Sequence, residues 1–321
     1  MSVLSRLVDA MPARARSYAF LLRDRASLLA ESAQDYSRYR RFSGPADKAV
    51  HGRIRGRNLE AQLTKDYHRI EKGLSFRAPK TPFGSAVKER LALLLPLTQD
   101  SAESRVAAVR APVETALSAL DDWNSRGTVD HRVSPLGDFR PSMSVEQAEQ
   151  FFLTRHSLRN FDETRAVPPE LLTKALEFVS RTPSVCNRQA GNVHLYSDPE
   201  QIRRLLKLQG GSAGFSETIT NLAAVTVEIG LFTGTGERNQ RWVDGGLAAM
   251  TLVWALHSLG IHTCMLNWSK RNTHSERARE VGGIPVSEDI ICLVAFGYPP
   301  ADGYRVARSP RRRLDDFSTT H

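Results

Sequence analysis

Hydrophobic positions recur every three or four residues through the first part of the chain, a spacing that predicts helices. The clearest example is residues 58–74, "NLEAQLTKDYHRIEKGL", which form an amphipathic pattern. One side of this helix carries Leu59, Leu63, Ile70 and Leu74. Weaker helical patterns cover 4–39, 84–98 and 101–125, and the stretches 40–58 and 124–143 are typical of linkers. We therefore expect residues 1–143 to be almost wholly helical.

The pattern changes near residue 144. Ser144 and Gln147 form a capping-box signal for a helix to about Leu153, and Pro168–Pro169 opens another helix. Runs rich in β-branched and aromatic residues predict strands at 192–197, 222–232 and 289–299. Between the last two lie a long helix, 240–259, and a short one capped by Thr273 and Glu276. Strands mixed irregularly with helices favour an α+β fold for residues 144–321.

Composition narrows the class of protein. The chain has 321 residues, 41% of them hydrophobic and 25% charged, as in ordinary globular proteins. Its longest apolar run, 245–256, is too short to cross a bilayer. The N-terminus lacks the pattern of a signal peptide. Cys186, Cys264 and Cys292 have no metal-ligand spacing, so we expect no metal site and a cytoplasmic location with reduced thiols.

Positive charge is concentrated at one end of the chain. Residues 1–57 hold twelve Lys/Arg against five Asp/Glu, most of the overall net charge of +9. Such a stretch could meet nucleic acid or anionic lipid, and an adaptor role of that kind is one alternative function. Because the stretch has few interleaved aromatic residues and no recognisable motif, a solvated basic face is favoured and no nucleic-acid partner is expected.

Three polar clusters in the second part of the chain could hold a ligand. The first, "RHSLR" (155–159), combines guanidinium, imidazole and hydroxyl donors, a set that suits a phosphate monoester as well as a plain surface turn. The second, "TPSVCNRQAG" (182–191), offers amide side chains in a loop. The third is the C-terminal "RSPRRRLDDF" (308–317). No Gly-x-Gly-x-x-Gly or Walker loop accompanies them.

These clusters, together with "WVDGGLAAMTLVWALHSLGIHTCMLN" and "GIPVSEDIICLVAFGYP", occur in an order that resembles the nitroreductase family of FMN-dependent oxidoreductases. The resemblance covers about 144–321. It implies a nitroreductase-like α+β fold, with a mixed or antiparallel sheet flanked by helices. It also implies a homodimer with FMN at the subunit interface, and NAD(P)H as the reductant.

The resemblance assigns cofactor-binding roles by position. Arg155, His156, Ser157 and Arg159 match the segment that holds the FMN phosphate, ribityl chain and pyrimidine edge. Arg308 and Arg311 match the C-terminal pair that completes the phosphate site. A loop contributed by the second subunit corresponds to Pro183, Ser184 and Asn187. The strand end beside flavin N5 corresponds to Met265, Leu266, Asn267 and Trp268.

The chain departs from the family pattern in two places. Many relatives have an acidic residue and a glycine where this chain has Asn267 and Trp268. Relatives often insert lid helices between the central strand and the long helix, but here only "TGTGERNQR" (233–241) is available. One hypothesis is that the N-terminal segment 66–79 covers the flavin and selects substrate. Its polar side carries Tyr67, His68, Glu71 and Lys72, although a solvated helix face is an equal alternative.

The sequence thus predicts an FMN-dependent NAD(P)H oxidoreductase that reduces a nitro, quinone or enone-like acceptor by a ping-pong mechanism. No catalytic side chain is expected, because flavin N5 carries the chemistry. A flavin-dependent dehydrogenase or oxygen-using flavoenzyme in a biosynthetic pathway is one alternative. A flavin-binding protein without turnover is another.

Overall fold

A computed structural model describes residues 12–50, 52–99, 103–137, 140 and 142–321. The N-terminal part contains helices α1 (Ala13–Phe42), α2 (Gly56–Leu74), α3 (Ser85–Leu94), α4 (Ser104–Ala108) and α5 (Arg110–Arg126). The C-terminal part contains α6 (Val145–Thr154), α7 (Pro169–Val179), α8 (Pro199–Gln209), α9 (Gln240–Ser258) and α10 (Asn272–Gly282). Its strands are β1 (Gly191–Tyr196), β2 (Leu222–Glu228), β3 (His262–Asn267) and β4 (Glu288–Gly297).

The four strands form one antiparallel sheet in the order β1-β2-β4-β3. β2 and β4 are central and almost completely buried, whereas β1 and β3 form the two edges. The α+β fold with an antiparallel sheet and an N-terminal helical region is therefore confirmed. The three strands predicted from β-branched runs are β1, β2 and β4. Since neighbouring strands lie about 4.8 Å apart, the two edges are separated by roughly 14 Å.

Helix α9 lies close against one face of this sheet. A Cβ atom on Gly245 would come within 2.5 Å of Ile291 on β4, so a larger residue there would push the helix outward. Ala248, Leu252 and Val253 of the same helix are buried against the sheet. Helices α8 and α10 pack against the opposite face. The core of the domain therefore consists of two helical layers with the sheet between them.

Helix α2 is buried on nearly every side. Its predicted apolar residues, Leu59, Leu63, Ile70 and Leu74, are at most 2% exposed and pack against α3 and α5. Each such side chain contributes about 1.5–3 kcal/mol of burial free energy. Residues 59–67 are all buried, so this part of the helix has no solvated polar face. The division of the chain at residue 144 stays a prediction, because α2 also contacts the loops at 185–187 and 229–231.

The predicted start of the short helix before β4 is wrong. Helix α10 begins at Asn272, and its N-cap, Arg271, makes no side-chain capping bond. Instead, Glu31 of α1 accepts hydrogen bonds from the Asn272 backbone N–H at 2.8 Å and from its side chain at 2.9 Å. A carboxylate from a distant part of the chain thus replaces the local cap that Thr273 and Glu276 were expected to provide.

Two other helix predictions need adjustment. The region predicted as one helix over 101–125 is divided at Val109 into α4 and α5. The predicted linker 40–58 is shorter, since α1 continues to Phe42 and α2 begins at Gly56. No helix in the described ranges is both long and apolar enough to span a membrane. The first eleven positions of the basic stretch 1–57 lie outside the described residues.

Candidate active site

The predicted phosphate-binding residues lie on an extended segment beside the edge strand β3. We call Arg155–Arg159 the donor segment. Helix α6 ends at Thr154, and the Leu158 N–H then donates to the Thr263 carbonyl oxygen at 2.9 Å. Leu158 is fully buried, so it anchors the segment to the core. Arg155, His156 and Ser157 are half-buried and Arg159 is exposed, so the donor segment lies near the protein surface.

His156 belongs to a small aromatic cluster with His262 and Tyr304. Its ring lies 5.3 Å from the His262 ring and is stacked 5.5 Å from the Tyr304 ring. Its Nδ1 donates to the Thr154 carbonyl oxygen at 2.8 Å, whereas its buried Nε2 has no partner among the described residues. Burial, and then the neighbouring His156 and His257, lower the pKa of His262. Among the described residues, the cluster therefore offers two unsatisfied imidazole nitrogens, His156 Nε2 and His262 Nδ1, beside the donor segment.

The C-terminal arginines do not meet the donor segment within this chain. Tyr304 brings the C-terminal tail to His156, but Arg308 and Arg311 are exposed. Arg311 donates to the carbonyl oxygen of Ser309, which has a left-handed φ of 44°. In the described part of the chain, no hydrogen bond or ion pair joins either arginine to residues 155–159. Their role at a phosphate site stays a prediction.

The end of β3 presents alternate side chains to solvent. Met265 is 43% exposed and Asn267 is also exposed, while Leu266 between them is buried. Trp268 is partly buried against the core, and its indole N–H donates to Ser275 Oγ at 3.0 Å. The Asn267 carbonyl oxygen accepts from Gln209 Nε2 at 3.0 Å. Met265 and Asn267 are thus available to a ligand, and Trp268 forms a fixed wall beside them.

Cys264 is a packed residue of this strand. It is 2% exposed, and burial raises the pKa of its thiol against the opposing effects of Arg159 and Ser157. A protonated, buried thiol is a poor nucleophile. We therefore assign Cys264 no chemical role. Among the described residues, no group of three or more His, Cys, Asp or Glu side chains is arranged to hold a metal ion.

The predicted second-subunit residues lie on a strained loop at the opposite edge of the sheet. We call residues 182–190, which lead into β1, the Ser184 loop. Cys186, Asn187 and Gln189 have left-handed φ values of 49°, 53° and 51°. Each costs about 1–3 kcal/mol in a residue other than glycine, so strong contacts must hold the loop. Among them, Ser184 Oγ accepts from the Gln189 N–H at 2.9 Å.

Arg188 is the main anchor of this loop, and no pattern in the sequence indicated that role. Its side chain is fully buried, and its Nη1 forms an ion pair with Glu237 Oε2 at 2.8 Å. Its Nε donates to the Val185 carbonyl oxygen at 3.2 Å, and the guanidinium carbon lies 5.6 Å from the Phe232 ring centroid. The Val185 N–H in turn donates to Asp244 Oδ2 at 3.1 Å. These contacts fix Ser184 and Asn187 in position.

A cavity of about 590 Å³ lies between α2 and the Ser184 loop. We call it the α2 cavity. Its N-terminal side is formed by Glu60, Thr64, Tyr67, Arg105 and Val109. The other side includes the Ser184 loop, the start of β1, and Asp244 and Ala248 of α9.

Of the four residues predicted to select substrate, Tyr67 lines the α2 cavity and the other three do not. Tyr67 is only 8% exposed, so it lies in the core interface and not on a solvated face. His68 Nδ1 and Glu71 Oε2 are 2.9 Å apart and pair with each other. Lys72 is exposed. A role for His68, Glu71 and Lys72 in substrate binding therefore stays a prediction without a supporting contact.

Comparison with known proteins places this site in a family. The model of the nitroreductase family matches residues 153–217 and 217–298, which include the donor segment, the Ser184 loop and all four strands. The C-terminal part of the chain thus matches the nitroreductase family. The residues before 153, including α1 to α5, lie outside the match.

Individual relatives are distant. An NADH dehydrogenase from Thermus thermophilus is 27% identical over 205 residues, covering 54% of this chain and 97% of the relative. Among solved structures, the FMN-dependent nitroreductase from Clostridium difficile R20291 is 18% identical with a TM-score of 0.45, covering 54% of this chain and 99% of its own. A nitroreductase with bound FMN from Desulfitobacterium hafniense DCB-2 is 20% identical with a TM-score of 0.42, covering 56% of this chain and 100% of its own.

Proposed function

We propose that this chain is an FMN-dependent oxidoreductase that takes electrons from NAD(P)H and passes them to a small organic acceptor. The observation that carries the proposal is the donor segment. Within the part of the chain that matches the nitroreductase family, it presents two arginines and a serine beside a buried histidine nitrogen that has no partner among the described residues. The relative from Thermus thermophilus that is named NADH dehydrogenase supports the choice of a nicotinamide as reductant.

The donor set fits the phosphate end of FMN. A buried polar atom without a partner costs about 1–3 kcal/mol. His156 Nε2 has no partner among the described residues, and it is an acceptor when Nδ1 donates, so it favours a ligand hydroxyl such as those of the ribityl chain. Arg155 and Ser157 are half-buried, and charge-assisted bonds from them to a phosphate would be stronger than in open solvent. Arg159, exposed nearby, would supply positive charge to the pyrimidine edge of the ring.

The exposed side of β3 would hold the ring itself. Met265 and Asn267 project from the same face of the strand, with Trp268 fixed by its bond to Ser275. When bound, FMN supplies the hydride chemistry that no side chain here can provide. The chain's own residues would orient the ring and limit the access of water. Overall, the nicotinamide loses a hydride, and the acceptor gains two electrons and two hydrogens, one of them a proton from solvent.

We further propose that the active unit is a homodimer with FMN at the subunit interface. One face of α9 is apolar and exposed, since Trp242, Val243 and Leu247 are 45%, 53% and 41% exposed. A contiguous apolar face of this kind is typical of a protein–protein interface. The Ser184 loop and the donor segment lie at opposite edges of the sheet. A second copy would bring its Ser184 loop, with Pro183, Ser184 and Asn187, to the flavin of the first.

An anaerobic stopped-flow experiment tests the reaction. We expect NADH or NADPH to bleach the visible flavin absorption band of the purified protein in the absence of acceptor. Adding a quinone or a nitroaromatic compound in a second mixing step should restore the band. Bleaching without any reoxidation, by acceptors or by air, would instead favour a flavin-binding protein without turnover. A nicotinamide that never bleaches the band would refute the choice of reductant.

A further inference from the structure

The two walls of the α2 cavity are fixed to each other by buried polar contacts. Lys65 of α2 has only 4% of its side chain exposed, and its Nζ donates to Thr233 Oγ1 at 2.9 Å. The Thr233 N–H donates to Glu237 Oε2 at 2.6 Å, and Glu237 also pairs with Arg188 of the Ser184 loop. The helix outside the family match is thus joined to the predicted flavin-contacting loop. A cavity with walls held in this way is preorganised for a ligand.

The acidic residues that line the cavity are already engaged. Glu60 Oε2 accepts from Arg57 Nη1 at 2.7 Å. Glu288 Oε2 lies 2.8 Å from His194 Nε2 and also accepts from the Thr226 hydroxyl. Asp244 accepts from the Val185 N–H and, at 2.8 Å, from Gln240 Nε2. All three acids are buried and already accept these hydrogen bonds, whereas Arg105 of the same lining is exposed.

Arg105 differs from every other charged residue of the lining. It is exposed, and in the described ranges it makes no hydrogen bond or ion pair. Arg188, the other arginine of the lining, is buried and already paired with Glu237. A ligand that enters the cavity therefore meets an uncompensated guanidinium at Arg105. Such a group binds a carboxylate through two parallel hydrogen bonds.

The remaining walls suit the body of an aromatic or otherwise flat acceptor. Tyr67 presents a largely buried ring, and burial raises the pKa of its hydroxyl, so it stays protonated and neutral. Val109, Leu176 and Val179 add apolar surface to the lining. Asn187 and Gln189 of the Ser184 loop provide amide groups on the other side. The cavity combines an apolar slot with a cation near solvent.

We propose that the α2 cavity is the acceptor pocket and that Arg105 is a specificity-determining residue for acceptors that carry a carboxylate. The proposal rests on the proposed function, because the acceptor must lie beside a flavin that the Ser184 loop contacts. The N-terminal helices then do more than cover the site. They supply the charge that selects the substrate.

A matched pair of acceptors tests this assignment on the full-length, FMN-loaded protein. 4-Nitrobenzoate and 4-nitrobenzamide have nearly the same shape and differ in charge. We expect the wild-type protein to favour the benzoate by about tenfold in kcat/KM, mainly through KM, which corresponds to about 1.4 kcal/mol. Arg105→Gln should remove this preference, and Arg105→Lys should restore part of it. Arg126→Gln removes another exposed arginine, which lies on α5 outside the cavity and pairs with Asp122, and it should leave the preference unchanged.

Calorimetric titration of the oxidised protein with the same two compounds separates the two proposals. If neither compound is reduced but the benzoate still binds more tightly and loses this advantage in Arg105→Gln, the pocket assignment holds and the proposed function fails. If both are reduced equally well, or if Arg105→Gln keeps the preference for the benzoate, the assignment of Arg105 is overturned while the proposed function stands.

Discussion

Asp66 of α2 provides the strictest test of how the N-terminal helices are held. Its carboxylate is completely buried and accepts four hydrogen bonds. Oδ1 accepts from Arg90 Nη2 at 2.6 Å and from Arg69 Nη1 at 2.9 Å. Oδ2 accepts from Arg90 Nε at 2.6 Å and from Gln62 Nε2 at 2.8 Å. The hydrogen-bonding capacity of the Asp66 carboxylate is thus filled inside the protein.

The substitution Asp66→Asn keeps the shape of the side chain and removes its charge. One carboxylate oxygen becomes an NH₂ group, which cannot accept and faces two donors, so two of the four bonds are lost. The guanidinium of Arg90, with 16% of its side chain exposed, would lose its full counter-charge. Breaking a buried ion pair by removing one partner costs about 3–5 kcal/mol. We expect the free energy of unfolding to fall by about that amount.

Urea denaturation followed by circular dichroism measures the change. Asp121→Asn is the matched control, because Asp121 pairs with Lys88 and 54% of its side chain is exposed. An exposed pair contributes about 0–1 kcal/mol, so the control should be nearly as stable as the wild-type protein. Equal and small losses in the two variants would show that the buried pairs around Asp66 do not hold α2 in place.

Three further predictions concern the site and the subunit interface. Arg155→Gln should weaken FMN binding by about 10–100-fold, the effect of losing a charge-assisted hydrogen bond. Arg165→Gln should leave FMN binding unchanged, because the Arg165 guanidinium lies 3.6 Å from the Tyr298 ring centroid. Fluorescence titration of the apoprotein with FMN measures both. The pKa of His262 is lowered in the folded state, so the unfolded chain binds more protons than the folded protein below about pH 6.5. The free energy of unfolding should therefore fall as the pH drops through that range. His262→Gln should reduce this acid sensitivity of the melting temperature, and an unchanged slope would contradict the burial argument. Leu247→Glu places a charge on the exposed face of α9, so it should convert the proposed dimer to a monomer, as measured by sedimentation velocity. A dimer that persists would show that the interface lies elsewhere.

Local signals in the sequence accounted for much of the fold. The capping box of Ser144 and Gln147 is present, and α7 begins at Pro169 as the proline pair predicts. These features depend on residues close together in sequence. The cap of α10 could not be predicted in this way, since Glu31 comes from a helix more than two hundred positions earlier. The burial of α2's polar residues has the same origin, because Asp47, Arg90 and Thr233 reach it from separate segments.

The sequence predicts which types of residue form the candidate site, but it does not predict how these residues are arranged in space. The donor types in residues 155–159 indicate a phosphate ligand, and only the family resemblance assigned the loop at Pro183 to another subunit. Nothing in the sequence indicated that Tyr304 and His262 would flank His156, or that Arg105 and Tyr67 would line one cavity. These juxtapositions depend on the sheet order and on how α2, α4 and the C-terminal tail pack. Such long-range contacts leave no periodic pattern in the sequence.

The central claim is that the donor segment, on a domain that matches the nitroreductase family, holds the phosphate of FMN. The most direct measurement is the visible spectrum of the purified protein, with the released cofactor identified by mass and the apoprotein titrated with FMN and riboflavin. We predict flavin absorption bands, the mass of FMN, and binding of FMN much tighter than that of riboflavin, which lacks the phosphate. A colourless protein that binds neither compound, or one that binds both equally well, would contradict the account.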